Sequence, residues 1–301
     1  MRFCFFSTYL AATLCLTAQK GLAQEPELKT TLESAYKRWS IAVENKNATA
    51  WAAAITMYRQ VTTRNLIVSQ GSAFPKAVFE TTISPADTSN LRLLEAQAVG
   101  DTAHLLYFGK INVGGDMEDL PDNLLMLKFF KDKGQWKFDS NKIIHLRTRP
   151  DLLEKLKQGG APDFLDLPEF TPPGKAPTAP TICPAPQHIS GGTIQSIGYE
   201  TEVKINGFDY YVKDNVLKVF VIGGLSNGAN QISLKAKKID VPKGSDRALE
   251  LDLFTKPSKP GANGQRVFHY EYTGSGEPSP SRSNWELTMP AATEMNIVVT
   301  E

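Results

Sequence analysis

Eight of the chain's 19 prolines crowd into residues 162–186. No helix or sheet interior runs through such a stretch, because each proline fixes φ and removes a backbone donor. The break divides the chain into unlike halves. Before it the sequence reads as helices followed by amphipathic strands; after it, short strands alternate with turns rich in Gly, Pro, Ser and Asn. These shifts predict a leader over 1–23, a first domain over 24–160, a proline-rich linker over 161–187 and a second domain over 188–301.

Arg2 gives a positive start, residues 3–18 are apolar apart from a few hydroxyls, and Gly21-Leu22-Ala23 places small residues where a signal peptidase reads. This pattern predicts export, secreted or periplasmic, with cleavage after Ala23. The apolar run is shorter than the roughly 20 residues a spanning helix needs, so no membrane span is expected in the mature chain. Cys4 and Cys15 leave with the leader, and Cys183 stays as a lone thiol, free or bridged to another molecule. Losing Arg2 and Lys20 from 33 basic side chains leaves 31 against 32 acidic ones. That balance lacks the Lys and Arg surplus that a phosphate backbone requires, so nucleic acid is not an expected partner.

Leu28, Leu32, Ala35, Tyr36, Trp39, Ala42 and Val43 recur at three- and four-residue spacing, the mark of a helix with one apolar face. Asn47 or Thr49 caps a second helix carrying Trp51, Ala54, Ile55, Tyr58 and Val61. Alternating texture then predicts strands over 91–98 and 102–108 across Gly100-Asp101. A second hairpin joins 124–130 to 136–144 across Asp132-Lys133-Gly134. A short helix opens at Pro150 and ends at Gly159-Gly160. Helices first and an antiparallel sheet afterwards predict an α+β fold class for this half, with helices packed in a curved, cone-like sheet.

The run from Ala35 through Tyr36, Trp39 and Val43 to Glu44, the helix with Trp51 and the paired hairpins resemble the nuclear transport factor 2-like, or SnoaL-like, superfamily. The resemblance covers residues 27–146. It implies a pocket between the helices and the concave sheet, used by some members for lyase or isomerase chemistry and by others for binding. It also implies a homodimer through the N-terminal sheet. The side chains offered to such a pocket are Trp39, Trp51, Tyr58 and Tyr107, with Tyr36, His104 and Glu95 as further polar groups. Trp39, Trp51 and Tyr58 present aromatic faces that suit either a ligand or a core. His104 as a general base suits the acid–base alternative. However, strand alternation sends His104 and Tyr107 to opposite faces of their sheet. Asp116, Glu118, Asp119 and Asp122 lack the glycine and distant glutamate of an EF-hand, so no metal and no cofactor is expected.

In the second half, Gly224-Leu225-Ser226-Asn227-Gly228 matches the Gly-x-Ser-x-Gly elbow of α/β-hydrolases, with Asp240 or Asp252 and His269 following in their usual order. Strands on both sides make it a hairpin turn, because the elbow joins a strand to a helix. Strands at 199–205, 217–222, 231–239, 248–254, 265–272, 285–289 and 295–300 predict an all-β sandwich. The phrase from Gly224 to Ile232 resembles a hairpin of bacterial immunoglobulin-like modules, which commonly bind or space. The functional expectation is an exported, non-catalytic two-domain binding protein. The alternatives are a small-molecule lyase or isomerase using the first pocket, and an envelope or cell-surface interaction module.

Overall fold

A computed structural model describes residues 25–81, 84–112, 120–160, 170–242, 246–256, 264–272, 282–289 and 298–300. The leader, the acidic residues Asp116, Glu118 and Asp119, and the linker residues Phe164, Leu165 and Leu167 lie outside the described residues. Among the described residues no helix is long and apolar enough to cross a membrane.

The first half opens with helices α1 (Glu25–Glu44), α2 (Ala48–Ala54), α3 (Met57–Ser69) and α4 (Val78–Thr81). Asn47 and Thr56 accept from the amides of Ala50 and Arg59, satisfying donors that the starts of α2 and α3 leave open. Strands β1 (Arg92–Val99), β2 (Thr102–Lys110), β3 (Asp122–Asp132) and β4 (Gln135–Ile144) form an antiparallel sheet in that order. Helix α5 (Pro150–Lys157) follows. The apolar stripe of α1 lies on one sheet face, where Trp39 stacks on Phe138 at 4.3 Å and Tyr36 meets the same ring at 5.2 Å. On the opposite face Leu106, Phe108, Leu124 and Met126 are covered by Leu146, by Leu156 of α5 and by Phe170.

In the second half, β5 (Ser190–Ile205) turns through Asn206-Gly207 into β6 (Phe208–Phe220), both turn residues adopting positive φ. Then come β7 (Gly228–Lys238), β8 (Ala248–Thr255), β9 (Gln265–Tyr272), β10 (Arg282–Met289) and β11 (Val298–Thr300). One strand serves two neighbours: β5 pairs with β8 from Ser190 to Ile197 and with β7 from Tyr199 to Ile205, while β6 follows it on the other side. The hairpin bends between these segments, where Gly198 and Asp214 take positive φ and the Gly198 amide donates to the Asp214 carboxylate. The bend brings the ends of β6 together, so the Tyr210 hydroxyl donates to the carbonyl of Phe220 and accepts from the amide of Ile222. Ile194, Val203, Val212, Ile232, Leu251 and Phe268 fill the space enclosed.

The expected fold class is corrected on two points. The chain is mostly β, 44% strand against 23% helix, in two antiparallel sheets with few helices, so the first half is not a helix-packed α+β domain. Its sheet does not wrap helices as a cone; it is a middle layer, with β2 buried on both faces from Thr102 to Phe108. The second half is one connected seven-stranded sheet rather than a sandwich of two. The reason is length: a bent 16-residue β5 passes through both layers and joins them.

The linker binds the halves together. Asn65 on α3 donates to the carbonyl of Thr181 and accepts from the amide of Cys183, as a neighbouring strand would. Ser69, one helical turn on, accepts from the amide of Gly223 in the second half at 2.8 Å.

Candidate functional site

A helix whose apolar stripe is sunk in a core leaves its flanks to solvent. One flank of α1 faces the segment 85–91 that leads into β1, and between them lies an open groove of about 590 Å³. Tyr36 positions one wall by donating to the carbonyl of Ala86 at 3.0 Å. Asp87 stabilises the turn beyond it by accepting from the amide of Ser89, which holds its carboxyl below the usual range. The floor is Tyr107 on β2, whose hydroxyl donates to Glu33 of α1 at 2.8 Å. Lys29, 3.8 Å from Glu33, and Lys37 add positive charge, while Glu44 and Asp87 add negative charge. Burial pushes the Tyr36 hydroxyl up to about 12, and burial reinforced by Glu33 pushes Tyr107 up as well. Both phenols are therefore neutral hydrogen-bonding groups at physiological pH.

Of the four residues expected to meet a ligand, Tyr107 alone lines this groove. Trp39 and Trp51 are buried in the core with Phe129 and Phe138, filling the space between helices and sheet. Tyr58 is half-buried against Phe130, beside Arg59. Spacing in α1 marks Glu33 only as one more residue off the apolar stripe; its role follows from the passage of β2 beneath it.

His104 lies on the opposite sheet face from Tyr107. It is 4% exposed and sits 2.7 Å from Glu95 of β1. A cavity of about 100 Å³ beside it is closed by Phe170, Thr171, Pro172 and Pro173. The pair satisfies two polar groups inside an apolar layer, and it does not face the groove. In the second half Ser226 lies in the turn between β6 and β7, where Asn230 accepts from its amide. Asp252 and His269 do meet, at 2.9 Å, as a cross-strand pair of β8 and β9. Glu250 joins them, its carboxyl raised chiefly by a hydrogen bond to Asp252. Cys183 is buried under α3, its thiol 3.8 Å from the Ser69 hydroxyl, so it is shielded from a thiol on another molecule.

Comparison with protein-family models, with curated proteins and with solved structures found no match to this chain.

Proposed function

We propose that the chain is an exported binding protein and that its first half holds a small polar molecule bearing charges of both signs in the groove along α1. One observation carries the reading. The groove is lined by Lys29 and Lys37, by Glu33, Glu44 and Asp87, and by Tyr107 with its hydroxyl fixed on Glu33, so residues of both charges surround an open cleft. An apolar ligand would strip water from these charged residues without replacing it, which costs affinity. The neutral phenols fit recognition better than proton transfer near pH 7, since neither is poised to exchange its proton there.

The test is native mass spectrometry of mature protein purified gently from its secretory compartment, wild type beside Glu33→Gln. The wild type retains a small polar molecule, and Glu33→Gln retains at least tenfold less, the loss expected when a charge-assisted contact becomes neutral. Equal retention by both, or none by the wild type, would remove the groove from the function.

A second reading, an envelope interaction module, has its own support. Trp39, Trp51, Phe129 and Phe138 fill the space that a deep ligand pocket would occupy, while Tyr211, Val216 and Phe220 stand exposed along β6.

A further inference from the structure

We propose that β6 is a self-complementary edge through which two copies of this chain pair, antiparallel, into a continuous sheet. The surface is separate from the groove, and its test does not depend on what the groove binds.

Among the described residues β6 pairs only with β5. Val221 donates to the carbonyl of Ser190, so Leu217 and Val219 turn their backbone groups toward β5 and Val216, Lys218 and Phe220 turn theirs away. Before the bend the two-residue turn sets Phe208 opposite Ile205, which leaves Asp209, Tyr211 and Lys213 facing outward. All six outward residues are exposed. Apart from the Phe220 carbonyl, which accepts from the Tyr210 hydroxyl, and the Val216 amide, this long edge presents outward donors and acceptors, and such an edge is a template for another strand.

The occupant is identified by register. The outward set is odd-numbered before Asp214 and even-numbered after it, because the bend inserts an extra residue. Antiparallel self-pairing that keeps outward residues together must therefore match an odd residue with an even one. The register centred between Lys213 and Asp214 does this, and its two-fold axis passes through the bend, so each bent edge superposes on its mate. It sets Asp209 against Lys218 and Tyr211 against Val216, with Lys213 against Asp214 at the centre. Each pair occurs twice, as an isologous interface requires. On the inner face the same register sets Tyr210 against Leu217 and Phe208 against Val219. Charge and apolar pattern agree at these five pairs, while Val212 falls against Asn215, and Lys213 and Asp214 already meet Glu200 and the Gly198 amide in their own chain. Moving the register by two residues sets Asp209 against Phe220 and Tyr211 against Lys218, and loses both charge pairs. Asp209 already meets Lys204 within its own chain at 3.1 Å, whereas Lys218 has no ion partner among the described residues. The amide of Val216, now held by its own Asn215 side chain at 2.7 Å, exchanges that local bond for the strand pairing.

The face of the first sheet opposite α1 is already covered by α5 and Phe170. That face is therefore closed to a second copy, whereas the outer side of β6 carries no strand among the described residues.

Sedimentation of the mature chain across a dilution series tests the proposal. Wild type forms a dimer at micromolar concentration. Asp209→Lys and Lys218→Asp each weaken it roughly tenfold or more, because each places like charges opposite one another twice. The double swap Asp209→Lys/Lys218→Asp restores the wild-type constant. Both side chains are exposed, and unchanged circular dichroism and melting confirm that the variants are folded. A wild type that stays monomeric at high micromolar concentration overturns the proposal. So do single variants that dimerise as wild type does, or a double swap that fails to recover.

Discussion

Strand β2 in the first half and β8 in the second are both central and both well paired, yet they bury opposite kinds of sequence. Every residue of β2 from Thr102 to Phe108 is buried, including His104. Along β8 burial alternates without a break, Leu249, Leu251 and Leu253 inward and Glu250, Asp252 and Phe254 less so. The difference is coverage. The first sheet lies between α1 and the α5–Phe170 cover, so a polar residue on either face needs a partner, which Glu95 supplies to His104. The second sheet covers itself by bending, and its outer face remains wet enough for Glu250, Asp252 and His269 to cluster there. A strand's pattern therefore reports how many layers lie over it.

The largest test of the layered half is Phe138→Ala. Phe138 touches Tyr36, Trp39 and Phe129 at centroid distances of 5.2, 4.3 and 5.9 Å and is 3% exposed. Its removal leaves a cavity that helix and sheet cannot close without moving both, so the expected loss is about 3–5 kcal/mol in urea unfolding. A loss below about 1 kcal/mol would mean that the layers slide together, and the contrast with the self-covering half would fail.

A pH series compares the halves directly, because each contains a tyrosine raised through burial from 10.0 to about 12: buried Tyr36 in the first and half-buried Tyr210 in the second. In the unfolded chain these phenols ionise from about pH 10, while in the fold they stay neutral until about 12. Stability is therefore complete below pH 10 and falls as pH rises toward 12, by roughly 2–3 kcal/mol for each group. Denaturant midpoints measured across this window should flatten by one share in Tyr36→Phe and by another in Tyr210→Phe. If Tyr210→Phe alone flattens the curve, Tyr36 is hydrated at the groove and the wall it forms is mobile.

The same contrast explains what was legible in the sequence. The α1 stripe, a cap at Asn47 or Thr49, which the fold places at Asn47, and the turn at Lys133-Gly134 could be read because local physics dictates them: 3.6-residue spacing, an orphan amide and positive φ. The β5–β6 hairpin was read only in part, as strands at 199–205 and 217–222, although Asn206-Gly207 is a strong turn signal. Its opening, Ser190-Gly191-Gly192, looks like loop sequence. In the fold Gly192 is required because a Cβ there would lie 2.6 Å from the carbonyl oxygen of Asp252 on the paired strand. That constraint comes from a partner 60 residues away, which no local pattern contains. The site divides the same way. Tyr107 was identified as a polar aromatic on a strand, but Trp39 and Trp51 have the same chemistry whether they line a pocket or fill it. Only their packing, Trp39 on Phe138 and Trp51 against Phe74 in one core, decides that they fill it. The continuous sheet was hidden for a related reason: a bent strand and two separate strands have the same alternation on either side of the bend.

The smallest expected effect bears on whether the two halves are one cooperative unit. Ser69 accepts from the Gly223 amide at 2.8 Å and donates to the carbonyl of Asn65 at 2.5 Å, so one buried hydroxyl joins α3 to the turn after β6. Ser69→Ala leaves the Gly223 N–H inside without a partner, at a cost of about 1–2 kcal/mol. Asn65 still holds the linker in this variant through Thr181 and Cys183, so the halves remain tethered while this direct bond between them is lost. Amide exchange at Gly223 should then quicken while exchange in β2 stays as slow as in wild type, and unfolding should separate into two transitions. If instead a single transition shifts as a whole, the linker clamp at Asn65 suffices to couple the halves. The layered sheet and the bent one would then share their stability although they share no strand.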